Sequence, residues 1–188
     1  MDQSHSNLIT ARTILILGGA RSGKTGYALG LAAQSRGERL YIATSEPGDE
    51  EMRERIGRHR QERGDTWRTI EEPIDIHRVV REESAPGRII LLDCITLWLS
   101  NLSASSRDID TALASLISSI QTASGPVVLI SNEVGMGIVP ATSLGREFRD
   151  WQGRANQRIA AACEAVTLMY AGIPVILKPG VAQLRLAS

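Results

Sequence analysis

The sequence predicts an α/β fold: a mostly parallel sheet with helices on both faces and an antiparallel hairpin at its C-terminal edge. Three observations carry this. Short apolar runs recur at Thr13–Leu17, Leu40–Ala43, Ile89–Leu92, Val127–Ile130 and Val166–Met169. They are apolar on both alternations, as strands buried on both faces of a parallel sheet are. Helix-length segments lie between most of them, at about 24–36, 49–63, 108–123 and 144–164, the alternation that builds an open sheet with helices on either side. A last run, Val175–Leu177, follows the turn Gly172-Ile173-Pro174. That connection is too short for a crossover, so the final two strands are expected to be antiparallel.

The 188 residues suit one domain with a sizeable core. Residues 1–12 read as a loose leader, 13–178 as the domain and 179–188 as a tail with little pattern. The polar stretch Ser100–Asp108 reads as a mobile loop. Composition is that of an ordinary globular chain, 43% hydrophobic and 22% charged. Lys plus Arg and Asp plus Glu each number 21, and this balance argues against a dedicated nucleic-acid binder. No apolar run reaches the roughly 18 residues of a membrane span, and the polar start Met1–Asn7 lacks the apolar core of a secretory signal. A cytoplasmic protein is expected. Cys94 and Cys163 are far apart and form no CxxC pair. They read as buried thiols of a reducing compartment.

The first apolar run opens directly into Gly18-Gly19-Ala20-Arg21-Ser22-Gly23-Lys24-Thr25, the P-loop pattern GxxxxGK followed by Ser or Thr, with a strand before it and a helix after it. Glycines let successive backbone N–H groups converge on phosphate oxygens, and the helix N-terminus adds about half a positive charge. Lys24 reaches the β- and γ-phosphates and Thr25 offers a hydroxyl to Mg²⁺. The single domain is therefore expected to be a P-loop, RecA-like one. Asp93 closes the third run at a carboxyl strand end, the side on which such sheets bind ligands. It is the natural second ligand of Mg²⁺, or else the N-cap of the next helix. Glu133 is a further acid at a strand end, open to water activation, substrate binding or a structural pairing. No Asn-Lys-x-Asp element follows the later strands, so the residues point to a nucleotide without naming its base.

The segment Asp49–Arg63 is dense in charge, and its apolar residues Met52 and Ile56 share a helical stripe with His59. An inward His on a charged helix is more often a packing residue. Surrounded by arginines, it is also favoured as neutral imidazole, the nucleophilic form. His5, in the leader, and His77, in an amphipathic stretch, read as structural or solvated.

Taken together, the P-loop octet, Tyr41-Ile42-Ala43-Thr44, Arg55-Ile56 with His59 and Arg63, Trp67-Arg68-Thr69 with Glu71, Asp93-Cys94-Ile95-Thr96 with Asn101-Leu102, Asn132-Glu133-Val134-Gly135-Met136-Gly137-Ile138-Val139-Pro140, and Phe148-Arg149-Asp150 with Gly153-Arg154 and Asn156-Gln157 resemble a known family. It is that of the bifunctional adenosylcobinamide kinase / adenosylcobinamide-phosphate guanylyltransferases of cobalamin biosynthesis, and the resemblance runs from about Thr13 to Lys178. It implies two reactions. The acceptor hydroxyl of adenosylcobinamide takes a γ-phosphate from ATP or GTP. GMP from GTP then passes through a histidine to the cobinamide phosphate, giving adenosyl-GDP-cobinamide. The guanylylated histidine falls on His59, with Lys24 as the other catalytic residue. Nucleotide-binding positions fall on Gly18, Gly19, Ala20, Arg21, Ser22, Gly23, Lys24, Thr25, Ala43, Thr44, Ser45, Arg60, Gln61, Glu62, Arg63, Glu71 and Asp93, and Mg²⁺ falls on Thr25 and Asp93. A homotrimer is implied too. Arg58 stands where some members carry a second histidine, and Asp93 where some carry Glu; no role for Arg58 follows. Corrinoid-binding residues and the triphosphate preferred by the kinase step stay open, with Glu133–Pro140 the expected corrinoid region. The competing readings are a P-loop small-molecule kinase without nucleotidyl transfer and a nucleotide-dependent switch or motor. The absent guanine-reading element weakens the switch, and neutral charge and short length weaken the motor.

Overall fold

The computed structural model describes residues 11–178 apart from 36, 47, 49, 51–56 and 58–65. In chain order the described residues form β1 (Thr13–Gly18), α1 (Lys24–Ala33), β2 (Glu38–Ala43), β3 (Arg68–Glu71), α2 (Ile76–Glu83), β4 (Arg88–Asp93), α3 (Ile95–Ala104), α4 (Ile109–Gln121), β5 (Val127–Asn132), α5 (Ser143–Ala162), β6 (Ala165–Tyr170) and β7 (Ile173–Lys178). The strands make one sheet in the order β3-β2-β4-β5-β1-β6-β7. Every neighbouring pair is parallel except the β6–β7 hairpin, which is antiparallel as its short turn demands.

Period-two alternation divides the core between the two faces. Leu15 and Leu17 of β1 pack on one side with Val79, Trp98, Leu116 and Ile159 from α2 to α5. Ile14 and Ile16 pack on the other with Ala28, Leu31 and Ala32 of α1. Helices thus cover both faces, which is why the strands read as continuous apolar runs.

The polar stretch expected to be a loop at Ser100–Asp108 is a loop only in part, because α3 continues to Ala104. Trp98, Leu99 and Leu102 are buried on one stripe of α3, and Ser100 lies on its solvent face. The serines disguise a half-buried helix. The true loop is short and ends at Asp108, whose carboxylate caps α4 by accepting the Thr111 N–H at 2.6 Å. β3 is too short to be expected from the sequence, and α2 is the amphipathic stretch around His77. β3 has four residues, none of them buried, and α2 only eight, of which Ile76, Val79 and Val80 are buried. Of the expected helix 49–63, Glu50 and Gly57 are described, and both are helical.

Residues 1–10 and 179–188 lie outside the described residues. Ala11 and Arg12 are already held by the domain: Ala11 is buried, and the Arg12 guanidinium donates to Ala123 O at 2.6 Å. At the other end Lys178 closes α5. Its ammonium donates to Ala160 O and Ala161 O at 3.1 Å and also to Cys163 O, a cation on the orphan carbonyls of a helix C-terminus. Both cysteines are free and buried, and burial pushes each thiol up to about 12.

Candidate active site

β1 lies inside the sheet, and the connections around it diverge. From β1 the chain crosses toward β2, and from β5 it crosses over β1 to β6. The crevice at the carboxyl ends of such strands is where open α/β sheets bind ligands.

The strand-to-helix turn Gly18–Thr25 fills this crevice. At Gly18 a side chain has no room: a Cβ would sit 2.6 Å from Met169 O of the neighbouring strand and 2.5 Å from Ser22 Oγ. Gly23, at φ 93°, takes the left-handed conformation that starts α1. The turn is held by Ser22 N–H on Gly19 O at 3.3 Å and buttressed by Gly172 N–H, from the β6–β7 turn, on Ser22 O at 3.1 Å. The N-terminus of α1 has no side-chain cap and no acid in its first turn, a state it shares with α2 and α3, while α4 and α5 are capped by Asp108 and Thr142. Uncapped N–H groups with the positive end of the helix dipole suit an anion. Lys24 is buried and bends back over the turn, donating from Nζ to Gly19 O at 2.6 Å.

Asp93, at the end of β4, faces this turn. Its Oδ2 accepts from Tyr41 OH at 2.7 Å and from Thr25 Oγ1 at 3.3 Å. Tyr41 is buried in β2 and its ring meets Trp67 edge to face, 6.0 Å between centroids. Strand register brings Glu71, Ala43 and Asp93 into one row across β3, β2 and β4, so these expected nucleotide-binding positions share the edge that carries the turn. Ser45 follows that row half-buried, and Glu71 is exposed. Thr44 is fully buried and its polar atoms face inward. Its N–H donates to Asp93 O at 3.1 Å, its hydroxyl both donates to and accepts from the Cys94 backbone at 2.8 Å, and its carbonyl accepts Asn101 Nδ2 at 2.7 Å. Thr44 braces the strand ends. His59, Arg60, Gln61, Glu62 and Arg63, with Arg58, lie outside the described residues.

On the other flank of the turn, Glu133 N–H donates to Gly18 O at 3.0 Å, and Glu133 Oε1 accepts Gly135 N–H at 2.5 Å. The strand end beneath it is fixed by buried amides. Asn156 Nδ2 donates to Asn132 O at 3.0 Å, Ser131 Oγ donates to Asn156 Oδ1 at 2.7 Å, and Gln152 Nε2 reaches both Ser131 Oγ and Asn156 Oδ1. Beside α5 a groove of about 650 Å³ opens, lined by Leu17, Glu133, Gln157, Ala161 and Leu177 among others. Sequence reasoning assigned no role to Tyr41, Asn101, Gln152 or Asn156. The available signal was a polar group on the buried stripe of a helix, Gln152 and Asn156 sharing theirs with Ala155 and Ile159.

The family model described as cobinamide kinase / cobinamide phosphate guanyltransferase matches residues 14–177. The bifunctional adenosylcobalamin biosynthesis protein CobP of Pseudomonas aeruginosa is 45% identical over 166 residues, covering 87% of this chain and 96% of its own. The corresponding CobU proteins of Escherichia coli and Salmonella typhimurium are 41% and 42% identical over 180 residues, each covering 88% of this chain and 99% of its own. In fold alone the chain is similar to a type III secretion system ATPase, with a TM-score of 0.50 at 12% identity, covering 87% of this chain and 53% of that one. A P-loop at the head of a mostly parallel sheet, an acid facing its Thr, and relatives matched nearly end to end lead to one assignment: the chain is an enzyme of the cobinamide kinase / cobinamide phosphate guanyltransferase family.

Proposed function

We propose that the chain phosphorylates adenosylcobinamide with ATP or GTP and then transfers GMP from GTP, by way of His59, to adenosylcobinamide phosphate. The observation that carries this reading is the P-loop turn Gly18–Thr25 facing the Asp93 carboxylate, which accepts from Tyr41 and Thr25. In the first reaction the acceptor hydroxyl oxygen bonds to the γ-phosphorus, the bond to the bridging oxygen breaks, and the nucleoside diphosphate leaves. The backbone N–H groups of the turn and Lys24 hold the phosphates and stabilise charge on the transferring group. In the second, an imidazole nitrogen of His59 bonds to the α-phosphorus of GTP and pyrophosphate leaves. The phosphate of the acceptor then displaces the histidine. Covalent catalysis splits one difficult displacement into two.

Thr25 Oγ1 and Asp93 Oδ2, 3.3 Å apart, are the hard oxygen donors that suit Mg²⁺, which keeps waters and takes its remaining ligands from phosphates. When bound there it neutralises charge on the phosphate oxygens. The single carboxylate fits that mode, and no cluster of three or more His, Cys, Asp or Glu that could hold a metal occurs among the described residues. Ala43, Ser45, Glu71 and the segment Arg60–Arg63 are assigned to the nucleotide through the family pattern, and Thr44 as their brace.

No described helix is long and apolar enough to cross a membrane, and we place the enzyme in the cytoplasm with its nucleotide substrates. We also place it in a homo-oligomer, a trimer by family pattern. Ile173, Val175, Ile176 and Leu177 of β7, the edge strand among the described residues, are exposed, and an apolar edge of this kind favours association.

The test is incubation with GTP labelled at the α-phosphate. Label should stay on the protein in alkali and leave in acid, as a phosphorus–nitrogen bond requires, and γ-label should not remain. His59→Ala should lose the label and guanylyl transfer and keep much of the kinase activity. Normal labelling of His59→Ala would return the chain to a plain kinase.

A further inference from the structure

The loop that follows β5 presents its large apolar side chains to solvent. Met136 is 78% exposed, Ile138 97% and Val139 59%. Such side chains do nothing for the core, and an exposed apolar cluster beside polar groups marks a contact surface. The loop is tied down at both ends. Glu133 fixes the start, through Gly18 O and Gly135 N–H. At the far end Arg146 donates to Pro140 O and Ala141 O at 3.0 and 2.9 Å, and Thr142 caps α5. The apolar tips therefore stand on an ordered base, which lowers the ordering cost of binding.

We infer that this loop seats the corrinoid acceptor, Met136, Ile138 and Val139 lying against the face and methyl-bearing rim of the macrocycle. The inference rests on the proposed reaction and names where its second substrate sits. Two observations choose the occupant. The loop begins at Glu133, whose N–H donates to Gly18 O of the proposed phosphate cradle, so the loop leaves the sheet at the edge that carries the cradle. Glu133 and Gln157 line the neighbouring groove of about 650 Å³, and a carboxylate with a carboxamide complements the amide side chains of a corrinoid. A broad, amide-fringed apolar ring fits this pairing of surfaces.

The experiment uses the full chain carrying Met136→Ser and Ile138→Ser together. Adenosylcobinamide binding is read by equilibrium dialysis through its visible absorbance, and KM is measured for the corrinoid and for GTP. Removing two buried aliphatic contacts should raise the corrinoid Kd and KM by about tenfold or more. The KM for GTP should stay within about twofold, and the sedimentation coefficient should match the wild type. Unchanged corrinoid affinity would overturn the inference. So would a lower sedimentation coefficient, which would make the loop a contact between copies of the chain. Dialysis reads binding without turnover, so a change in Kd tests the corrinoid seat whether or not the wild-type chain completes the transfer.

Discussion

Two adjacent glycines of the cradle should respond unequally to the same substitution. In Gly18→Ala the new methyl would sit 2.6 Å from Met169 O and 2.5 Å from Ser22 Oγ. Ser22 can turn its hydroxyl away, but Met169 O belongs to β6, and Gly18 pairs with Met169 in the β1–β6 register. Relief to ordinary contact means parting two strand ends by most of an ångström, and Gly18 sits at φ 155°, where side chains are strained. Overpacking of this kind costs about 1–3 kcal/mol, and the backbone strain places the expected loss at or above about 2 kcal/mol. In Gly19→Ala the methyl meets nothing within 4 Å, and the change should stay within about 0.5 kcal/mol. Urea unfolding of the nucleotide-free proteins, followed by tryptophan fluorescence, measures both values. Gly18→Ala should also weaken GTP binding, because the N–H groups after it lose their alignment. Equal stabilities for the two variants would refute the close approach of β1 and β6 and the packing account of the first glycine.

Lys24→Ala should slow both half-reactions by about 10²–10³, the usual loss for one charge-stabilising donor; near wild-type phosphorylation would remove Lys24 from the cradle. Asp93→Asn should raise the Mg²⁺ concentration needed for half-maximal activity in both reactions, and an unchanged titration would exclude it as a ligand or holder of a metal-bound water. The buried thiols set an alkaline limit. Cys94 and Cys163 are raised from 9.0 to about 12 in the folded chain, so the unfolded chain loses protons that the folded one keeps. Their contribution is complete below about pH 9 and is lost as pH rises from there toward 12. Urea midpoints should fall over that window, less so in Cys163→Ala, and native thiols should resist a disulfide reagent at pH near 8.

The strand-to-helix turn proposed to cradle phosphate was legible because its pattern is local. Gly18 to Thr25 are consecutive, and the conformations and dipole that bind phosphate belong to one turn and the helix it starts. The parallel sheet was legible too, since burial on both faces leaves strands that are apolar without alternation, as in β1, β4 and β5. Short or disguised elements were not. β3 has no buried residue, and the serines of α3 mimic a loop because only one stripe of that helix meets the core.

Pattern and spacing determined the fold class and the turn Gly18–Thr25, and the quoted motifs carried the resemblance to the family, since each resides in consecutive residues or in a repeat set by the helix and strand periods. Tertiary structure decided which distant polar groups meet: Tyr41 on Asp93, Thr44 and Asn101 bracing the strand ends, Asn156 on Asn132, and Glu133 against Gly18. The physical reason is that a buried polar atom must find a hydrogen-bond partner. Which atom satisfies it depends on strand order and register, and these emerge only when β2, β4, β5 and β1 lie side by side.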